Sequence, residues 1–120
     1  MAIQSYRELE VWKQAVDLVT EIYEVTLKFP KSEQFGLTAQ IRRASVSVAS
    51  NISEGYGRNH RGDYLHHLSM ARGSLCEVET QLIIAGRLKF ITKDDAVPAW
   101  ELTQSVGKML FAMIRKLRGE

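Results

Sequence analysis

Apolar residues recur at alternating steps of three and four along four stretches of this chain, the period of helices that bury one side. In the first stretch the seam reads Leu9, Trp12, Val16, Val19, Tyr23 and Thr26. The second uses Leu37, Ile41, Ala44, Val48, Asn51 and Gly55, and the third Tyr64, Leu68, Ala71, Leu75, Val78, Leu82 and Ala85. The fourth runs through Trp100, Thr103, Gly107, Leu110, Ile114 and Leu117. No strand-like alternation persists anywhere. The predicted helices therefore span about 6–28, 33–57, 61–88 and 93–118.

Local signals agree with these limits. Ser5 followed by Glu8 has the spacing of a capping box, which satisfies amides left unpaired in a first turn. Phe29-Pro30 ends the first helix, because a proline disfavours helical geometry in the residue before it. Gly57 and Gly62 bracket the second break, where glycine tolerates the positive φ of a helix end. Pro98 falls in the first turns of the fourth helix, where a missing amide costs least.

Connections this short make consecutive helices antiparallel neighbours. The expected fold is all-α, an up-down-up-down antiparallel four-helix bundle forming one domain over residues 1–120. Helices of about 20–26 residues would be roughly 30–39 Å long.

Composition changes the picture little and charge changes it more. The chain has 120 residues, 45% hydrophobic and 25% charged, which suits a soluble globular protein. Net charge is only +2, but it is unevenly spread. Residues 1–30 hold three basic and five acidic groups, whereas residues 36–72 hold five arginines against Glu54 and Asp63, with all three histidines. A basic middle permits an anionic partner. The single cysteine, Cys76, excludes an intrachain disulfide and points to the reducing cytoplasm. The opening MAIQSYRELE lacks the basic-then-apolar design of a signal peptide, and no apolar run is long enough to span a bilayer.

Catalytic chemistry finds little footing. Di-iron bundles need Glu-x-x-His pairs, which place both ligands on one inward face, and no histidine here has a Glu three residues before it. Asp63 and His66 have that spacing once, without a second copy, and read as solvated charge at a helix start. Cys76 sits in a helix beside apolar neighbours and reads as a small buried hydrophobe. GYGRNHRG lacks the Gly-Lys-Ser/Thr ending of a phosphate loop and does not follow a strand. Glu77 and Glu79 lie roughly 200° apart around a helix and cannot act as one carboxylate pair. No enzyme, metal site or cofactor is expected.

Polar residues on or beside the seams read as internal anchors. Asn51 occupies a seam position, where an unpartnered amide would cost about 1–3 kcal/mol. Arg43, Ser47, Ser50, Glu54 and Arg58 form a second stripe on the same helix, and Glu54 and Arg58 have the i,i+4 spacing of an ion pair. Arg72 and Glu79 interrupt the set Leu65, Leu68, Leu75, Leu82 that flanks the third core stripe. Asn51, Glu54 and Glu79 are accordingly expected to join the second and third helices, and Glu77 is expected to be a structural polar anchor as well.

LEVWKQAVDLV, FPKSEQFGLTAQIRRASVSVASNISEG and ARGSLCEVETQL resemble the four-helix-bundle proteins encoded within intervening sequences of bacterial 23S ribosomal RNA genes. The resemblance covers about residues 6–91 and fades in the fourth helix. It rests on Phe29-Pro30 with Glu33, on Gln40 with Arg42-Arg43-Ala44, and on Ser47, Asn51-Ile52 and Glu54-Gly55. Gly73-Ser74, Glu77 and Glu79 complete it, while Ser53 stands where Ala is commoner. The resemblance implies a ring-shaped homopentamer without established enzymatic activity. The chain is also similar to the accessory protein of diversity-generating retroelements, a pentamer that binds nucleic acid and a reverse transcriptase.

Two functions follow as expectations. The first is non-catalytic binding of nucleic acid, RNA or DNA, with structured RNA foremost. Arg42, Arg43, Arg58, Arg61 and Arg72 are the first candidate contacts, and Lys108, Arg115, Lys116 and Arg118 form a second basic cluster. The alternative is an adaptor or assembly module whose partner is protein. It is motivated by apolar residues outside the seams: Val11, Leu18, Val25 and Leu27, with Phe111 and Met113.

Overall fold

The computed structural model describes residues 5–120. Four helices occupy them: α1 (Glu10–Thr26), α2 (Leu37–Tyr56), α3 (Arg61–Arg87) and α4 (Lys93–Leu117). Two 3-10 turns, Tyr6–Glu8 and Lys31–Glu33, precede α1 and α2. Each helix packs against its two neighbours, α2 against α3 most extensively, and α4 closes back on α1. A helix of 27 residues such as α3 is about 40 Å long. The molecule measures 44 × 24 × 23 Å, so the helices run along its long axis as a bundle.

The core is aliphatic. Ile41, Val48 and Ile52 of α2 meet Leu68, Leu75, Val78 and Leu82 of α3, with Val106, Leu110 and Ile114 of α4 opposite. Phe29 and Ile91 close the end where α1 leads into α2 and α3 into α4. Every residue of the expected α3 seam from Leu68 to Ala85 is buried. On α2 the seam residues Ile41, Ala44, Val48 and Gly55 are buried, with Ile52 and Ser45 beside them, whereas Leu37 and Asn51 are half-buried. Gly55 is buried there because α3 passes too close for a side chain: a Cβ would lie 2.8 Å from that of His67.

α1 corrects the sequence reading. Its buried face is Val11, Ala15, Leu18, Ile22 and Val25, and of the expected seam only Thr26 is buried with it. Val16 and Tyr23 are exposed and Trp12 is half-buried. The helix carries two apolar stripes rotated by about one residue, and the core selects the one built of Ala, Val, Leu and Ile. α4 shows a smaller shift, with Ala99 and Val106 buried while Trp100 is exposed.

The helix ends also differ in detail. The Ser5 hydroxyl accepts a hydrogen bond from Arg7 N at 3.2 Å and caps the 3-10 turn, not α1. Extended backbone at Leu9 separates the two. α2 starts at Leu37 instead of 33, and Glu33 reaches over Gly36 to accept from Leu37 N at 3.0 Å. Gly57 has φ −76° and exploits no special freedom, whereas Lys89, after α3, has φ 64°. Thr92 and Asp95 form a reciprocal capping box at α4, with Thr92 N donating to Asp95 at 2.8 Å and Asp95 N to Thr92 at 3.1 Å.

Candidate nucleic-acid interface

The nine candidate cations fall into three settings. Arg42, on the flank of α2 that faces α1, donates from Nε to Thr26 Oγ1 at 2.9 Å, and its guanidinium lies 4.4 Å from the Tyr23 ring centroid. It is bound into the α1–α2 interface as a structural cation. Arg43 is exposed on the outer α2–α3 groove, where a cavity of about 400 Å³ is lined by Gln40, Ser47, Ser74 and Glu77 as well.

The remaining seven lie elsewhere. Arg72 of α3 and Lys108 of α4 share a recess of about 320 Å³ with Leu75, Glu79, Gln104 and Phe111. The Phe111 ring carries two guanidiniums, Arg72 at 5.5 Å and Arg115 at 5.7 Å from its centroid. Cation–π contacts of this kind hold long side chains over a ring without neutralising them. Arg58 and Arg61 are exposed at the α2–α3 connection, and Lys116 and Arg118 are exposed at the end of α4. An up-down-up-down path places that connection and the α4 terminus at one end of the bundle. One face and one end of the molecule thus share six of the sequence-expected cations with Phe111, and Lys108 continues the set along the face. Glu120 tempers the end, lying 3.7 Å from Arg115 Nε.

The polar anchors divide differently from expectation. Asn51 Nδ2 donates to the Ser47 carbonyl at 2.9 Å and to Ser47 Oγ at 3.1 Å, which fixes its amide orientation. Its Oδ1 then faces His67 Nδ1 at 3.1 Å, so that ring nitrogen is the donor across the α2–α3 interface. Ser47 and Ser74 hydroxyls meet at 2.9 Å in the same interface. Glu54 stands 3.7 Å from His67 Nδ1 across the interface, and no ion pair joins it to the expected Arg58 among the described residues. Glu77 accepts from Gln81 at 3.2 Å, and Gln81 reaches Gln40 of α2 at 3.4 Å. Glu79 turns the other way and accepts from Gln104 of α4 at 2.7 Å, which corrects its assignment to the second helix.

Cys76 is exposed, on the flank of α3 beside the recess, contrary to its reading as a buried hydrophobe. Its apolar neighbours in sequence, Leu75 and Val78, point to the core while it does not. Val11, Leu18 and Val25, expected outside, are the core of α1. Leu27 and Phe111 do remain exposed, and Met113 is half-buried. An apolar groove of about 470 Å³, with Leu82, Ile83, Ile91, Val97 and Trp100 in its lining, opens between the end of α3 and the start of α4. Sequence reasoning missed His67, Gln104 and the role of Phe111. The i,i+4 step from Phe111 to Arg115 was readable; the arrival of Arg72 from another helix was not.

Among the described residues no three His, Cys, Asp or Glu side chains gather in a metal-binding group. No helix there is long and apolar enough to cross a membrane. Tyr64, packed edge-on against Tyr56 at 6.3 Å, has its phenol pushed above the ordinary value by burial and, secondarily, by that neighbour.

The fold has a counterpart among solved structures. A Bacteroides thetaiotaomicron protein of unknown function from the S23 ribosomal protein family superposes with a TM-score of 0.79. It is 22% identical, and the match covers 88% of this chain and 98% of the other, which shows a shared fold. No curated protein matches the sequence. The family model for 23S rRNA-intervening sequence proteins matches residues 7–112, nearly the whole bundle. The four-helix chain with its α2–α3 anchors belongs to the 23S rRNA-intervening sequence protein family.

Proposed function

We propose that this protein is a non-catalytic, homo-oligomeric nucleic-acid-binding protein that acts on structured RNA in the cytoplasm as a pentamer. The observation that carries this reading is the convergence of Arg72, Lys108 and Arg115 around exposed Phe111, continuous with the basic end at Arg58, Arg61, Lys116 and Arg118. Phosphates attract such a surface through counterion release, and a ring repeats the surface so that weak contacts add by avidity. A net charge of only +2 fits a localised patch better than a uniformly basic coat.

Gel shifts on a structured RNA across a salt series test the reading. Binding that weakens steeply with salt is expected; no binding of RNA or DNA at low salt overturns it. Light scattering should give about five chain masses, and a monomer mass removes the ring.

A second reading, a protein adaptor, draws on the apolar groove between α3 and α4 and on Phe35, which is 89% exposed. Substituting Phe35 and Trp100 together with polar residues should abolish partner capture under this reading and leave RNA affinity unchanged.

A further inference from the structure

The recess between α3 and α4 bears on the form of nucleic acid that this protein takes. At one end stands Phe111, 48% exposed, with the Arg72 and Arg115 guanidiniums on its ring. At the other end Glu79 accepts from the amide nitrogen of Gln104. Between them Gly107 keeps the floor low, since a Cβ there would already touch Leu75 at 3.4 Å. Lys108 stands on the wall.

We propose that this recess is a stacking site for one unpaired base of a single-stranded segment, with Phe111 as its platform. The proposal rests on the nucleic-acid reading above and narrows it. A duplex presents phosphates and groove edges, and its base faces are already stacked, so an exposed ring gains nothing from it. A splayed base has a free face, and base–aromatic stacking needs no particular sequence. When the base enters, the Arg72 and Arg115 guanidiniums swing from the ring to the flanking phosphates beside Lys108 and free a ring face, while the Glu79 carboxylate repels phosphate from the opposite end. That polarity orients the base edge towards Glu79 and Gln104.

The edge chemistry gives a preference. The Gln104 amide nitrogen is committed to Glu79 and Thr103, so the oxygens that Glu79 and Gln104 still have to offer at this end of the recess are all acceptors. Acceptors pair with exocyclic amino groups, as a carboxylate does with the amino group of cytosine. Cytosine is favoured over uracil, which presents a carbonyl at that position. Unpaired loops and bulges of a structured RNA supply such bases.

Fluorescence anisotropy at one low salt concentration, with oligocytidine, oligouridine, the deoxycytidine oligomer and a blunt duplex of equal length, tests the site. The wild type should prefer oligocytidine to oligouridine and to the duplex. Phe111→Leu, which keeps apolar bulk but removes the ring that holds Arg72 and Arg115, should weaken oligocytidine binding about tenfold and duplex binding by clearly less. The deoxycytidine arm tells RNA from DNA as the source of the base, and binding of either supports the site. Cys76, the single cysteine, lies beside the recess and gives a readout without mutation. Its alkylation should slow when oligocytidine is bound and not when duplex is bound.

Equal weakening of both ligands by Phe111→Leu, no weakening, or an unprotected Cys76 overturns the stacking site. Those results leave salt-dependent RNA binding standing. Failure of the wild type to bind any of the four ligands instead removes the reading beneath it.

Discussion

Gly55 shows how a missing side chain sets the distance between two helices. A methyl there would lie 2.8 Å from the His67 Cβ and 3.0 Å from the Tyr64 ring, and neither can move without shifting α3. Gly55→Ala should therefore destabilise the fold by about 1–3 kcal/mol despite its gain in helix propensity. Urea denaturation measures this, and an unchanged midpoint would contradict the tight crossing. Lys89 presents the opposite case, with φ 64° in the region that costs a residue with a Cβ about 1 kcal/mol. Lys89→Gly should raise stability by roughly 0.5–1 kcal/mol, after the entropy that glycine adds to the unfolded chain is deducted. Thermal unfolding reads it directly.

The elements are held at their ends as much as along their lengths. Where α1 runs out, Lys28 donates to Asp95 Oδ1 at 2.6 Å and ties that end to the first turn of α4. The hydrogen bond from Lys28, then those from Thr92, lower the Asp95 carboxyl from 3.8 to about 2. A depressed carboxyl contributes stability above its unfolded pKa and loses it as pH falls through the folded one. The contribution should thus be complete above the ordinary carboxylate range and vanish on acidification to about 2. Asp95→Asn should be less stable than wild type at neutral pH and converge with it at the acid end of that window. Urea midpoints at a series of pH values give the comparison; a constant offset would mean that charge is not involved. Lys28 is exposed and Asp95 only partly so, and added salt should shrink the offset at neutral pH.

At the scale of the whole molecule, charge and assembly meet. Arg58, Arg61 and Lys116 are exposed and have no carboxylate in ion-pair range among the described residues. Replacing the three with Gln should flatten the slope of log affinity against log salt by about 0.7 per lost phosphate contact on a single strand. Arg42→Gln is the control: it breaks the Thr26 hydrogen bond and the Tyr23 contact, so it should lower stability and leave the slope intact. If Arg42→Gln changes the slope as strongly as the triple variant, the division between structural and interface cations is wrong.

Periodicity along the chain specifies the four helices, their order and the buried faces of α2 and α3. Each of those faces has one apolar stripe, and a helix with one stripe has one way to bury it. The sequence also carried the family, through the spacing of small and polar residues from Gln40 to Glu79. The face of α1 was decided only by tertiary packing. Two apolar stripes share its period, and the fit against α2 and α4 distinguishes the compact aliphatic one from the one bearing Trp12 and Tyr23. The roles of the arginines were likewise decided in three dimensions. Arg42 and Arg72 look alike along the chain, yet one meets a hydroxyl and a ring across α1 and the other meets Phe111 at the surface. Helical periodicity gives the side on which a residue lies. What stands there to meet it comes from another helix, more than fifteen residues away in both cases, and only the closed bundle supplies that neighbour.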